Sequence, residues 1–235
     1  MTHEPITVLL PMYNREAFIA DCIRSVMQQT YPNVQLLVYD DASTDNSVAV
    51  VEQLAKQHNN ITLLRGTENK GCGHSRNRLL EACTTRLAAW QDSDDLSNIY
   101  RLEWMQKAQV ESGAPLVYSN WSYLHKTPHG GAWNQATPET GNNNRCFGGC
   151  LIEMKTAGKL LHDEAIRYGA GDWLWRLAAE KFLAPAAHVP RLLYYVRVHE
   201  QRISSRKRNP KYAHQQKIND VAKAAAYKRL ENGTW

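Results

Sequence analysis

Several common signals are missing from this 235-residue chain. No Gly-x-Gly-x-x-Gly follows the first apolar run, and no Gly-x-x-x-x-Gly-Lys-Ser/Thr occurs anywhere. Dinucleotide oxidoreductases and P-loop enzymes therefore lose their main support. No apolar run approaches the roughly 20 residues needed to cross a bilayer. The start, Met1-Thr2-His3-Glu4-Pro5, lacks the basic-then-apolar pattern of a signal peptide. Cysteines are few, odd in number and scattered (Cys22, Cys72, Cys83, Cys146 and Cys150). They point to reduced thiols and a cytoplasmic address rather than a disulfide framework. Cys146-x-x-x-Cys150 has no second pair to complete a zinc site.

What is present suffices for a sizeable core, with 43% hydrophobic and 22% charged residues. The length allows one large domain or two small ones. The net charge of +5 is uneven, with ten Lys or Arg against three Asp or Glu from Arg197 to Trp235. Such a tail suits an anionic membrane surface or phosphate-rich ligand, or simply a solvated helix face.

Apolar runs alternate with amphipathic stretches through the first half. Strands are expected at Thr7–Leu10, Val34–Tyr39, Ile61–Leu64, Arg86–Trp90 and Leu116–Tyr118. Helices are expected at Ala17–Gln29, Ser47–His58, Ser75–Ala82 and Ile99–Glu111. This βαβ order predicts an α/β fold with a mostly parallel sheet, whose ligands gather at the strands' carboxyl ends. After Asn120 the pattern changes. Trp133 to Asn144 reads as a polar loop, Trp173–Ala179 as a helix, Phe182–Val189 and Leu192–Val198 as strands, and Pro210–Leu230 as a basic terminal helix. Neither an internal repeat nor a clear linker interrupts the chain. One domain over 1–235 is expected, with halves at about 5–120 and 121–205 and a basic tail from about 206.

The stretch Ala88-Ala89-Trp90-Gln91-Asp92-Ser93-Asp94-Asp95 carries the strongest chemical signal. A buried strand ends in three aspartates. Like charges near a core take up protons or attract a cation. Acid-x-acid at a strand end fits a hard divalent ion that also holds phosphate oxygens, although Asp and Ser also make ordinary solvated turns. Two other strand ends face the same edge, Pro11 to Glu16 and Tyr39 to Asp45. Tyr13 can stack on a base there, and Asp41 can accept a base N–H or a ribose hydroxyl. Asp45 reads better as a helix cap.

Six motifs then occur in order: Pro11-x-Tyr13-Asn14-x-Glu16, Gln29-Thr30-Tyr31-Pro32, Asp40-Asp41-x-Ser43-x-Asp45, Asn69-x-Gly71, Ser75-Arg76-Asn77 and Asp92-x-Asp94-Asp95. Together they resemble the family 2 glycosyltransferases of the GT-A fold, from about Thr7 to Arg101. Later, Gly171-Asp172-Trp173 resembles the family's Glu-Asp helix motif, with Gly171 where Glu is usual. Tyr195-x-Arg197-x-His199, followed by Ile203-Ser204, resembles its histidine motif.

The resemblance implies inverting sugar transfer from a nucleotide-sugar, by default a UDP-sugar, with Mn²⁺ or Mg²⁺. It implies Pro11, Tyr13, Asn14, Glu16 and Asp41 around the nucleotide. Arg76 would face the diphosphate or the donor sugar. Asp92, Ser93 and Asp95 would lie along the donor, with Asp94, His199 and Asp92 on the metal and Asp172 as the base. His74 is a weaker candidate contact. The implied acceptor is a saccharide, a lipid-linked glycan or a peptide, in surface-polysaccharide or glycoconjugate synthesis. The basic tail would suit peripheral contact with the inner membrane face, and no nucleic acid is expected.

Two other readings compete. A sugar nucleotidyltransferase should carry a Gly-rich, basic loop after its first strand, which Pro11 to Glu16 is not. A module that has lost catalysis and only binds nucleotide-sugar or membrane draws support from Gly171. The four retained residues Asp92, Asp94, Asp172 and His199 argue against it.

Overall fold

The computed structural model describes residues 3–126, 133–135, 147–164, 171–183, 185–200, 224–225, 227–229 and 231–233. Its first half follows the alternation of the sequence. Strands β1 (Ile6–Met12), β2 (Val34–Asp40), β3 (Ile61–Arg65) and β4 (Leu87–Trp90) are separated by helices α1 (Ile19–Met27), α2 (Ser47–Ala55) and α3 (Cys72–Ala82). These four strands pair in parallel in the order β3-β2-β1-β4. The register sets Met12 beside Asp40 and Leu9 beside Trp90, so the polar ends of β1, β2 and β4 share one edge of the sheet.

The strands are apolar on both faces because helices cover both. Val8, Leu10 and Met12 point to one side, against Cys22, Ile23 and Val26 of α1 and Val51 and Leu54 of α2. Leu9 points to the other, with Leu79 and Leu80 of α3. This period-two alternation across β1 assigns each helix to its face. Each such buried side chain contributes about 1.5–3 kcal/mol relative to exposure.

The second half extends the sheet with mixed pairing. Helix α4 (Arg101–Ser112) leads into β6 (Leu116–Lys126), and a two-residue strand, β5 (Leu96–Ser97), precedes it. Strands β7 (Trp133–Gln135), β8 (Leu151–Glu153) and β9 (Ala187–Arg197) complete the order β4-β8-β6-β9-β5, with β7 on β6. The three-residue strands β7 and β8 are too short for a period of two to mark them in the sequence. Helix α5 spans Gly171–Phe182 and takes in Phe182, expected to open a strand.

The two strands expected around Pro190 are one. Val189 pairs with Ser119 and Leu192 with Asn120, so Pro190 and Arg191 form a bulge in a continuous β9. A proline without an N–H fits a bulge, where no ladder bond is required. Of the expected terminal helix, 224–225 and 227–229 are helical, as is 231 just beyond it. The rest of that segment, residues 136–144 of the expected polar loop, and Cys146 lie outside the described residues. Among the described residues, no helix is long and apolar enough to cross a membrane.

Candidate active site

The site is built where β1, β2 and β4 end. Asn14 and Ala42 adopt left-handed φ values of 50° and 59° just beyond β1 and β2. Non-glycine residues rarely accept that conformation without compensating contacts. The contacts are present. Asn14 N–H donates to Ser43 Oγ at 2.9 Å, and Asn14 Oδ1 accepts from Thr44 N–H at 2.8 Å. Glu16 Oε2 accepts from both the backbone and side chain of Asn46, at 3.0 Å each. Asn14 and Glu16 thus clamp the β1 and β2 loops together.

Asp45 lies one residue before Asn46, the N-cap of α2, and braces the helix start from there. Its carboxylate accepts from Ser47 N–H and from Glu16 N–H, each at 3.0 Å. Burial opposes its ionisation, but the Ser47 hydroxyl and these amides outweigh burial and hold the carboxyl below its ordinary value of 3.8. The folded state then gains stability that is fully present above about pH 4 and fades as pH falls through the lower folded value. Asp45→Asn, which turns one accepting oxygen into a donor, should therefore cost about 1 kcal/mol at neutral pH, with the difference closing in acid. Urea midpoints of both proteins from pH 7 to 2 check this.

Asp41 is buried, and both its oxygens are engaged. They accept Lys70 N–H at 3.0 Å and Gly71 N–H at 2.7 Å. Gly71 has φ 96°, a conformation natural to glycine, and it opens α3. Asp41 therefore positions the loop that delivers Arg76. Pro11 lies at the end of β1, and Tyr13 is 37% exposed beside it, open to a stacking partner.

The aspartate loop follows β4. Arg76, buried on α3, donates from Nη2 to Asp92 Oδ1 at 3.1 Å, and its guanidinium lies 5.8 Å from the Trp90 ring centroid. Asp94 Oδ2 lies 3.2 Å from His199 Nε2 and 3.4 Å from Arg15 Nε. Burial opposes Asp94's ionisation, yet the His199 hydrogen bond and the Arg15 charge prevail and hold its pKa below the usual value. Asp95 Oδ1 accepts from Arg197 N–H at 3.0 Å, and Ser93 is buried between its neighbours. The cluster is therefore not a set of unpaired carboxylates. Arginines meet it.

Arg197 ties the loop down. Fully buried, it donates from Nε to Asp94 O and from Nη2 to Phe18 O at 2.9 Å, and reaches Asp21 at 3.6 Å. His199, two residues on, rests against the Phe18 ring at 4.1 Å between centroids. Tyr194 on the same strand accepts Asp92 N–H at 3.0 Å through its hydroxyl. Gly148 lies against this pair. A Cβ there would come 2.5 Å from Asp92 Oδ2 and 2.8 Å from the Tyr194 hydroxyl, so a side chain at this position would displace Asp92 or Tyr194.

A strap at 160–164 joins the two halves. Asn77 of α3 accepts His162 N–H at 2.7 Å and donates to Glu164 at 2.8 Å. His162 stacks on Trp175 of α5 and meets Trp90 of β4 edge-on, with centroids 5.6 and 5.5 Å away. Burial and the Arg76 charge push the His162 imidazole well below its ordinary range, so it acts as a neutral spacer. Through this stack α5 is fastened to the end of β4, and Asp172 is the helix's second residue, one turn before Trp175. His74 pairs with Glu164 at 3.0 Å, part of the same fastening.

Divalent-ion chemistry fits part of this donor set. Two ligands on one edge of an octahedron with bonds of about 2.1 Å lie about 3.0 Å apart. Asp94 Oδ2 and His199 Nε2, 3.2 Å apart, match such an edge. Asp92 turns one oxygen to Arg76 instead. Among the described residues, no three His, Cys, Asp or Glu side chains converge.

Arg15 and Tyr194 carried no sequence-based role, and Arg197 appeared only as a motif letter. A basic residue next to a strand end that must face three carboxylates is a usable signal for Arg15. Tyr194 had none, since its hydroxyl meets Asp92 only through the fold.

Solved structures share this architecture. Staphylococcus aureus TarS in complex with UDP-GlcNAc superposes with a TM-score of 0.70 at 21% identity, over 86% of this chain and 61% of that one. The mannosyltransferase PcManGT of Pyrobaculum calidifontis, in complex with GDP-Man and Mn²⁺, gives 0.67 at 19%, over 85% and 59%. These establish a GT-A fold. The profile of the family described as Glycosyl transferase family 2 matches residues 7–156. The chain belongs to that family. Among curated relatives, the Escherichia coli UDP-Glc:alpha-D-GlcNAc-diphosphoundecaprenol beta-1,3-glucosyltransferase WfgD is 31% identical over 148 residues, 62% of this chain and 58% of that protein. The chain spans about half the length of the curated relatives it matches.

Proposed function

We propose that the chain transfers a sugar from a nucleotide-sugar to an acceptor hydroxyl, with inversion at the anomeric carbon and with a divalent cation. The observation that carries this reading is the juxtaposition of Asp94–His199 and Asp92–Arg76 at the shared carboxyl edge of β1 and β4. Asp94 and His199 would hold the ion, which when bound neutralises charge on the leaving diphosphate. Arg76 adds a fixed guanidinium on the same side. Tyr13 and the clamped loops of Asn14, Glu16 and Asp41 would frame the base.

Asp172 would take the acceptor proton as the new bond forms, and one displacement from the far face inverts the centre. Its place in the first turn of α5 favours an anion there. UDP is the preferred nucleotide, because WfgD is named for UDP-Glc and TarS binds UDP-GlcNAc. Mn²⁺ is preferred because PcManGT holds it with GDP-Man. A lipid-linked acceptor is suggested by the diphosphoundecaprenol in WfgD's name. The basic tail would add about 1 kcal/mol per residue reaching an anionic surface.

Calorimetric titration of UDP, GDP and dTDP, each with and without Mn²⁺, tests the reading. One nucleotide should bind with metal, and Asp94→Ala should weaken that binding at least about 100-fold. Failure of all three nucleotides to bind with metal would overturn the proposal.

A further inference from the structure

The arginines around the aspartate loop bear on when a metal ion can enter. In the loop itself, Asp92 meets the Arg76 guanidinium and Asp94 that of Arg15, while Asp95 accepts the Arg197 backbone N–H and the Arg197 guanidinium donates to the Asp94 carbonyl. Asp21 answers Arg197 from the solvent side, with its side chain 56% exposed and therefore screened. His199, whose imidazole meets Asp94, and Cys22, whose thiol donates to the Asp92 carbonyl, are further titratable neighbours. The cluster, three carboxylates beside three guanidinium groups, is thus close to electroneutral before anything binds. A bare divalent cation would leave it strongly positive. A divalent cation arriving with a dianionic nucleotide-sugar diphosphate would keep it neutral.

Arg15 is placed to enforce that difference. Its Nε sits 3.4 Å from Asp94 Oδ2, the oxygen that also meets His199. Its Nη1 donates to Tyr13 O at 3.2 Å and Asn14 O at 2.9 Å, and its backbone N–H to Ser47 Oγ at 2.6 Å. The guanidinium cannot swing away to vacate Asp94 without releasing the carbonyls of the loop that would frame the base. A fixed positive charge therefore stands beside a proposed ligand of the ion, anchored in a proposed nucleotide loop.

We propose that Arg15 is a positioning residue that makes metal binding depend on the nucleotide. It repels a free divalent ion from Asp94 and His199, and helps hold the anionic diphosphate that brings the ion in. This rests on the nucleotide-sugar reading above and adds the order in which the components assemble. Its consequence is a coupling free energy between the two ligands, which is reciprocal.

The test is direct binding of Mn²⁺ by electron paramagnetic resonance and calorimetry, with and without saturating UDP, independent of turnover. The wild type should bind Mn²⁺ weakly alone and at least about tenfold more tightly with UDP. Arg15→Gln should bind free Mn²⁺ several-fold more tightly than wild type and bind UDP more weakly, with the coupling reduced to about twofold or less. Arg15→Lys, which keeps the charge, should restore weak free-metal binding. Opposite signs for the two ligands separate a charge gate from general damage, which weakens both. Equal wild-type affinity for Mn²⁺ with and without UDP would overturn the proposal even if Arg15→Gln fails to fold. UDP binding without any metal dependence overturns the coupling and leaves the nucleotide site standing. Absence of UDP binding at any Mn²⁺ concentration overturns both.

Discussion

Asp172→Asn should lower turnover by about 10²–10⁴-fold while nucleotide binding with Mn²⁺ stays within about twofold of wild type. The reasoning is a division of labour. The groups proposed to face the donor sit on the loops after β1, β2 and β4, on α3 and just after β9, whereas Asp172 sits on α5, which the His162 stack on Trp175 and Trp90 ties to the end of β4. Removing the charge of Asp172 takes away the proton acceptor and leaves the side chain's size unchanged. Initial rates of UDP release from a UDP-sugar with acceptor, beside calorimetric UDP affinity, separate the two quantities. Intact turnover would show that Asp172 is only part of the helix start. This variant also distinguishes an enzyme from a binding module that has lost catalysis, since the module has no turnover to lose.

Arg197→Met should destabilise the fold by about 3 kcal/mol, a large share of the 5–15 kcal/mol typical of a domain. Met is of similar length and fills the space, so the effect isolates the guanidinium. Its donors to Asp94 O and Phe18 O vanish, and both carbonyls lose a partner at a buried site. The amide bond to Asp95 survives because it uses the backbone. Arg197→Lys should recover only part of the loss, because one ammonium does not reproduce the fork that reaches both carbonyls. Urea unfolding with an unchanged slope measures this, and a cost under about 1 kcal/mol would show that the knot is replaceable.

Legibility in the sequence followed the physics of each half. Parallel strands buried on both faces leave near-continuous apolar runs, so β1 to β4 and their helices were readable within a few residues. Polar strand ends, two of them rich in aspartate, gave away the edge where ligands gather. The later strands depend on long-range pairing. Leu151–Glu153 is a strand because it bridges β4 and β6, and nothing local requires it. Pro190 seemed to divide two strands and instead sits in a bulge of one.

The site residues divide in the same way. Aspartates in an acid-x-acid pattern announce themselves, and His199 stood out only by its spacing from Arg197. Arg15 and Arg197 did not announce themselves, since a guanidinium's role depends on which carboxylate or carbonyl the fold sets opposite it. Asn14, Glu16 and Asp41 were read as donor contacts. Their observed partners are the backbone and side chains of neighbouring loops, so they shape the crevice that a nucleotide would enter. The close neighbours of Gly148 are Asp92 and Tyr194.

The central claim is that the ion and the diphosphate meet at Asp94, His199 and Arg76. Its most direct test is a crystal of this chain grown with UDP and Mn²⁺, with diffraction recorded at the manganese edge. The account predicts one anomalous peak within bonding distance of Asp94 Oδ2 and His199 Nε2, with diphosphate oxygens completing the coordination beside Arg76. A peak elsewhere, or nucleotide bound at this edge with no manganese between it and Asp94, would contradict it.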